Sequence, residues 1–388
     1  MHILHHDALS TALTFLNEGR LVAFPTETVY GLGADMTQPQ AIFKIFDLKN
    51  RPRQHPLIVH VADAQALWDC VEHRAVRSYQ SVIQALISAF SPGPLTYILP
   101  KAPHVLDEVT GSQPSVGLRI PSHPMALRLL KAYPHPLVAP SANQFGHISP
   151  HTACHVREEG FPKEEVYVLD EAPDTEEAHV IKGVESTIIR FVPEGCYVDI
   201  LRPGAITPGM IASVLVPHGW HVRFRGQILQ EDELLLQASL LLPSNGNTLR
   251  VPGVLKKHYA PKQPLYRFES WEALQKHLDT ALQSVHKPDV LALISPFESL
   301  PQVLQSASIT YQHWSIVPVP EMWEHTLYST LHHLDAYTQA QRVLGKSVLQ
   351  AVIPPYTMPH DTLVPHSPIT DWLAVWDRLE RASVHPEV

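Results

Sequence analysis

What most limits how this chain can fold is an alternation, kept up over its first two hundred residues, of short apolar runs with segments of helical periodicity. Leu21-Val-Ala-Phe24 predicts a strand that runs straight into the polar loop Pro25-Thr-Glu-Thr-Val-Tyr-Gly-Leu-Gly33. From Pro39 to Leu48, Ile42, Phe43, Ile45 and Phe46 recur at helical spacing behind a proline suited to a first turn. Lys49 sits at the end of that helix, Pro52 ends it, and Pro56-Leu-Ile-Val-His-Val61 predicts a buried strand. Further strands are expected at Leu95–Leu99, Val116–Ile120, Leu137–Ala139, Ser186–Phe191 and Tyr197–Leu201, with helices between them. This is the pattern of an α/β or α+β layer domain.

The regularity weakens from about Val216 to Lys262, where Pro243-Ser-Asn-Gly-Asn247 and Val251-Pro-Gly253 are breakers. It resumes with strands at Leu265–Phe268, Val290–Ile294 and Val348–Ile353 and helices near Trp271–Val285, around Leu327–Tyr337 and from Asp371. A chain of 388 residues exceeds what one core usually supports. We therefore expect a larger domain over residues 1–215, a linker over 216–262 and a smaller three-layer α/β domain over 263–388.

Composition narrows the function. Apolar residues make up 45% and charged residues 17%, which argues for globular order throughout. The formal charge is −9, and the stretch Val156–Ala178, with nine acidic and two basic residues, supplies most of it. The remainder is nearly neutral and lacks the basic stripe of a protein built to bind nucleic acid. Cys70, Cys154 and Cys196 are far apart with no CxxC pair, which fits reduced structural thiols better than a disulfide frame or zinc site. The first ten residues carry histidines and an aspartate where a signal peptide needs an apolar core, and no apolar run approaches the ~18 residues of a membrane span. A soluble, cytoplasmic protein is expected.

Two clusters offer equipment for holding a phosphate. Lys49-Asn-Arg-Pro-Arg53 leads directly into the strand at Pro56, and Pro140-Ser-Ala-Asn143 follows the strand at Leu137, on the side where α/β sheets gather ligands. Each has a plainer reading: cations complementing a helix C-terminus for the first, an Asx or Ser turn for the second. Thr26 and Thr28 lie in a loop whose Gly31 and Gly33 either admit a ligand or merely punctuate a turn. His60, in an apolar strand, reads as a hydrogen-bonded core histidine or a ligand group. Arg119, in Val116-Gly-Leu-Arg-Ile120, demands an anionic partner if buried, either a structural carboxylate or a substrate's. Arg202, in Leu201-Arg-Pro-Gly204, poses the same question. Gly345-Lys-Ser347 is no P-loop, because Ala340 stands where the leading glycine belongs. With no nucleophile, metal cluster or P-loop beside these cations, chemistry must come from positioning and charge neutralisation, which points to nucleotidyl transfer.

Read together, Phe24-Pro-Thr-Glu-Thr-Val-Tyr-Gly-Leu-Gly33, Lys49-x-Arg51-Pro52, Pro56-Leu-Ile-Val-His60, Ser91-Pro-Gly-Pro-Leu-Thr96, Leu118-Arg-Ile-Pro121, Ala139-Pro-Ser-Ala-Asn143, Glu185-Ser-Thr187 and Leu201-Arg-Pro-Gly204 resemble the threonylcarbamoyl-AMP synthase family. The likeness covers residues from about 10 to 215, a YrdC-like domain, and the linker and C-terminal α/β domain resemble the family's long, two-domain branch. The fold it implies is a YrdC-like twisted mixed sheet with helices, joined by a long linker to a smaller Rossmann-like three-layer α/β domain. The activity it implies uses L-threonine, bicarbonate or CO2, and ATP to make threonylcarbamoyl-AMP and pyrophosphate. Downstream threonylcarbamoyl-transfer proteins would pass the group to tRNA beside the anticodon, so this chain meets tRNA only indirectly.

Carried over by position, the resemblance makes Lys49, Arg51, Ser141 and Asn143 a catalytic polar tetrad around the phosphates and carbamate. It makes Thr28, His60, Arg119, the backbone at Ala139, and Ser186 a threonine pocket. Arg51, His55, Ser115, Ser141, Ser149, Arg202 and the linker's Tyr259 match ATP contacts. No protein metal site is implied; Mg2+ would come with ATP, held mainly by the nucleotide and water. The chain departs from the family's habit at His55, commonly asparagine, and at Val254, Lys256 and Lys257, commonly methionine, tyrosine and arginine. Two other readings stay in view: an RNA-clamping module without catalysis, which a basic groove would favour, and the carbamoyl-AMP chemistry of hydrogenase maturation proteins, whose zinc fingers three scattered cysteines cannot build.

Overall fold

The computed structural model describes residues 4–170, 184–224, 227–228, 265–268, 273–274, 276–277, 290–295, 310–315, 320–343, 348–352 and 383–384. The chain forms two compact units, one built on an eleven-stranded sheet and one on a five-stranded sheet.

The strands of the first unit are β1 (Leu21–Phe24), β2 (Gly31–Asp35), β3 (Ile58–His60), β4 (Leu95–Pro100), β5 (Ser115–Arg119), β6 (Leu137–Val138), β7 (Val166–Val168), β8 (Thr187–Val192), β9 (Tyr197–Arg202), β10 (His221–Phe224) and β11 (Gln227–Ile228). They lie in the order β11-β10-β9-β8-β4-β5-β3-β6-β2-β1-β7. The sheet is mixed: β3 runs parallel to β5, β4 to β8, β1 to β7 and β9 to β10, and the other neighbours are antiparallel. Strand β1 is buried on both faces, and its period of two divides it between two cores. Leu21 and Ala23 pack with Ile42, Ile45 and Phe46, whereas Val22 and Phe24 pack with Leu16, Leu129 and Tyr133.

Sequence and structure part at β2. Gly31 and Gly33 read as loop glycines, admitting a ligand or punctuating a turn, yet both lie in a strand antiparallel to β1, with Phe24 opposite Gly31 and Val22 opposite Gly33. The space a Cβ would need is already filled: at Gly33 it would lie 2.8 Å from the Phe24 ring, and at Gly31 3.2 Å from the Ala139 Cβ. The close approach these glycines permit is that of Phe24 and Ala139. Strands β10 and β11 also extend the sheet into the stretch read as linker, as far as Ile228. Residues 229–264, with Tyr259, lie outside the described residues.

In the second unit, β12 (Leu265–Arg267), β13 (Val290–Ser295), β14 (Thr310–Ser315), β15 (Val348–Val352) and β16 (Ser383–Val384) are all parallel, in the order β14-β13-β15-β12-β16. Strand β14 was not expected; His313 and Gln312 dilute its apolar signal, which an edge position tolerates. The helix Pro320–Val343 buries Leu327, Leu331, Leu334 and Thr338, a stripe at helical spacing. On that stripe the Thr338 hydroxyl accepts a hydrogen bond from Gln350 of β15 at 2.8 Å. The helix expected from Asp371 lies outside the described residues.

Candidate active site

The helix Pro39–Lys49 explains how a lysine comes to be buried. Its inward face carries Ile42, Ile45 and Phe46, and continuing that period places Lys49 inward as well, 2% exposed. Asn50 then turns left-handed (φ 51°), and the Arg51 amide closes back on the Phe46 carbonyl at 2.9 Å. The Lys49 ammonium donates to the main-chain oxygens of Ser141 (2.7 Å) and Asn143. In return the Phe145 amide donates to the Lys49 carbonyl at 3.0 Å. Within the loop the Ser141 hydroxyl donates to the Asn143 side-chain oxygen at 2.5 Å, and the Asn143 amide to the Gln144 carbonyl at 2.8 Å. Lys49, Ser141 and Asn143 are thus one connected group.

Arg51 is buried beside them, donating to the Pro56 carbonyl at 3.0 Å with its guanidinium 5.6 Å from the centre of the Phe145 ring. His55 meets the same ring edge-on at 5.5 Å. Burial, then the neighbouring Arg51 charge, hold the Lys49 pKa well below the usual lysine value, against a smaller opposing pull from Glu159. Two cations held together out of water favour an anion between them.

A second group runs across the neighbouring strands. The β3–β5 register sets His60 beside Arg119, and the β3–β6 register sets His60 opposite Leu137, two residues before Ala139. Arg119 is 4% exposed, and its Nη2 donates to Glu27 of the β1–β2 loop at 2.7 Å. The structural carboxylate that burial required is therefore Glu27. The Arg119 Nε–H is buried and has no hydrogen-bond partner. His60 bonds through Nδ1 to the Ile58 carbonyl at 3.2 Å, and since a carbonyl only accepts, Nδ1 carries the proton and Nε2 a lone pair. Burial, then Arg119, push its pKa down to about 3, so the ring is neutral. Thr28 is fully buried, its hydroxyl 2.8 Å from that of Thr26.

A third group lies where β8 begins. The Ser186 hydroxyl is 2.7 Å from that of Thr96 and accepts a bond from Arg202 Nη2 at 3.0 Å, while the Ser186 carbonyl accepts from Arg202 Nε and Nη2. Next to it, Glu185 accepts from the Ser149 hydroxyl at 2.6 Å. Continuing the β4–β5 register past Tyr97 and Leu118 brings Thr96 opposite Arg119, which ties this group to the second. Ser115 stands apart, opening β5 four residues before Arg119 and paired with Pro100.

A family model described as telomere recombination (Sua5, YciO and YrdC) matches residues 14–204, and one described as the threonylcarbamoyl-AMP synthase C-terminal domain matches residues 206–384. The threonylcarbamoyl-AMP synthase of Bacillus subtilis is 35% identical over 274 residues, 70% of this chain and 69% of that protein. The chain belongs to the threonylcarbamoyl-AMP synthase family. The Pyrococcus abyssi member is 36% identical over 250 residues, and that stretch spans 64% of its length and 64% of this chain. The fold agrees as well: a crystal structure of P. abyssi Sua5 complexed with L-threonine superposes with a TM-score of 0.70 at 28% identity, covering 97% of this chain and 94% of that one.

Three members of the site sat unassigned inside family motifs already quoted: Glu27 in Pro25-Thr-Glu-Thr28, Thr96 in Ser91-Pro-Gly-Pro-Leu-Thr96, and Glu185 in Glu185-Ser-Thr187. An acid within a polar motif, outside the acidic stretch Val156–Ala178, was the signal available for Glu27 and Glu185. Phe145, just past the Pro140–Asn143 motif, carried none.

Proposed function

We propose that this chain is an L-threonylcarbamoyladenylate synthase, a nucleotidyltransferase that joins L-threonine, bicarbonate or CO2, and ATP. The observation that carries the reading is the buried Arg119 Nε–H without a partner, set beside a neutral histidine and a row of hydroxyls. An unpaired buried guanidinium donor costs on the order of 1–3 kcal/mol, which a ligand carboxylate would recover. Threonine supplies that carboxylate, and its hydroxyl and amine suit Thr28, Ser186 and the His60 lone pair, with the backbone at Ala139 as a further contact.

In the proposed reaction the threonine amine, having lost a proton, adds to CO2 to give a carbamate. A carbamate oxygen then attacks the α-phosphorus of ATP, the α–β phosphoanhydride bond breaks, and pyrophosphate leaves. Carbamate formation adds negative charge to the ligand, and Lys49 and Arg51 neutralise it together with the phosphates. Anions beside Lys49 reverse the pressure that burial and Arg51 place on its pKa. Ser141 and Asn143 hold the Lys49 end of the site in shape, and His55, Ser115, Ser149, Arg202 and Tyr259 contact the nucleotide. The tetrad offers cations, a hydroxyl and an amide but no carboxylate, so Mg2+ would be held by phosphate oxygens and water, supplying charge neutralisation.

We further propose that the protein works in the cytoplasm and hands its product to threonylcarbamoyl-transfer proteins that modify tRNA, which it meets only indirectly. Among the described residues no helix is long and apolar enough to cross a membrane, and Cys70, Cys154 and Cys196 are free thiols. The formal charge of −9 gives no support to an RNA-clamping module. The test is pyrophosphate release from ATP that requires both threonine and bicarbonate, with threonylcarbamoyl-AMP identified by mass. Release that ignores threonine would overturn the reading.

A further inference from the structure

Glu27 is an acid bonded directly to Arg119 of the proposed threonine pocket, and its bonds show what it does. One carboxylate oxygen accepts from Arg119 Nη2 at 2.7 Å, and the other accepts from the Ser122 main-chain N–H at 3.0 Å. The β1–β2 loop is thereby tied both to the end of β5 and to the loop that follows it. Arg119 and Glu27 side chains are 5% and 10% exposed, so neither charge is solvated by bulk water. Of the Arg119 donors, Nη2 is committed to Glu27 and the buried Nε–H is left over.

We propose that Glu27 is a positioning residue for threonine: it clamps the Arg119 guanidinium so that Nε–H faces the ligand carboxylate, and its charge makes the pocket selective for a zwitterion. This rests on the reading that Arg119 holds the threonine carboxylate. A planar guanidinium whose Nη2 is held by a carboxylate, itself fixed by a main-chain N–H, has fewer orientations left for its remaining donors. The charges point the same way. Arg119 and Glu27 cancel, and His60 is neutral, so these three residues together carry no net charge. A ligand bearing both an ammonium and a carboxylate matches that balance. A hydroxy acid that keeps the carboxylate and lacks the amine does not.

The experiment uses the full chain and compares Glu27→Gln, Glu27→Asp, Arg119→Ala and the double variant Glu27→Gln/Arg119→Ala. The readouts are KM for threonine, KM for ATP, kcat, and inhibition by 3-hydroxybutanoate, the deaminated analogue. Glu27→Gln is expected to raise the threonine KM roughly tenfold with kcat and the ATP KM within about threefold, and to shift relative binding roughly tenfold from threonine toward the anion. Glu27→Asp, which keeps the charge and shortens the reach, is expected to raise the threonine KM but to preserve the preference for the zwitterion. If Glu27 clamps Arg119, the effects of Glu27→Gln and Arg119→Ala on the threonine KM should be non-additive, the double variant losing less than the sum of the two single variants; strict additivity would overturn the clamp. If Glu27→Gln does not fold, Glu27→Asp decides: a threonine KM unchanged from wild type overturns the proposal. Arg119→Ala that spares threonine binding would sink the Arg119 reading itself. Arg119→Ala that abolishes it, with both Glu27 variants at wild-type KM, would sink only the role of Glu27.

Discussion

The Lys49 ammonium donates to the main-chain oxygen of Ser141 at 2.7 Å, joining residues ninety-two positions apart. The cationic helix end and the Pro140–Asn143 loop therefore form one object, and loss of the lysine harms the site in two ways. Lys49→Ala removes a cation and strips a buried donor from two carbonyls, and Arg51→Ala removes a cation that bonds the Pro56 carbonyl and lies near the Phe145 ring. Both variants should lower kcat/KM for ATP by on the order of a hundredfold, the value of a desolvated phosphate contact. Lys49→Ala should also lose on the order of 1–3 kcal/mol of stability in denaturant titrations. Turnover close to wild type in either folded variant would remove that residue from the site.

His60 gives a pH prediction with a definite sign. Its pKa is about 3 in the folded protein, because of burial and then Arg119, against about 6.5 when exposed. As pH falls below about 6.5 the unfolded chain takes up a proton that the folded chain refuses. The stability contributed by neutral His60 is therefore whole above pH ~6.5 and is lost progressively as pH falls toward 3. Between pH 7 and pH 4 the wild type should lose on the order of 3 kcal/mol that a His60→Asn variant does not. Equal losses in chemical denaturation of the two proteins would mean that His60 titrates normally.

Specificity should follow from the hydroxyls. Arg202 Nη2 donates to the Ser186 hydroxyl, so that oxygen's own proton is left for Thr96 or a ligand. The proposed threonine pocket, with Thr28, Ser186 and the His60 lone pair, would leave polar groups unpaired when valine replaces threonine, a penalty that should reject the isostere by on the order of a hundredfold or more. Serine, which keeps the hydroxyl and loses a methyl, should be used more weakly than threonine but better than valine. Competition assays in which valine and threonine are used equally would contradict this pocket.

How far the sequence foretells this site depends on whether the signal is local. The helix ending in Lys49 was legible, and its period even places Lys49 on the apolar face. Burial of Arg119 announced that an acid was needed, but choosing Glu27 requires the fold, since ninety-two residues separate them. Strand β2 was hidden because Gly31 and Gly33 have no side chains to mark a face, the space being taken by Phe24 and Ala139. Strands β10 and β11 were hidden for another reason: they extend a sheet edge at the start of the stretch, from about Val216, where the regular alternation weakens.

Gly204 supplies the sharpest steric test, because it belongs to the site without any chemistry of its own. A Cβ there would lie 2.5 Å from the Glu185 carbonyl oxygen and 2.5 Å from the Thr187 amide nitrogen. Both are main-chain atoms, so no rotamer change relieves the clash, and the Glu185–Thr187 segment must move. That segment carries the acceptor for the Ser149 hydroxyl and both the Ser186 hydroxyl and the carbonyl that Arg202 binds. Gly204→Ala should therefore cost roughly 2 kcal/mol or more of stability and raise KM for ATP and threonine together. Gly209 is the control: it lies in the helix Pro208–Leu215, where the nearest atom to an added Cβ is 3.9 Å away. Gly209→Ala should be neutral or gain about 0.4–1 kcal/mol by restricting the unfolded chain. If the two variants melt alike and keep wild-type kinetics, the close packing of Gly204 against the start of β8 does not shape the site.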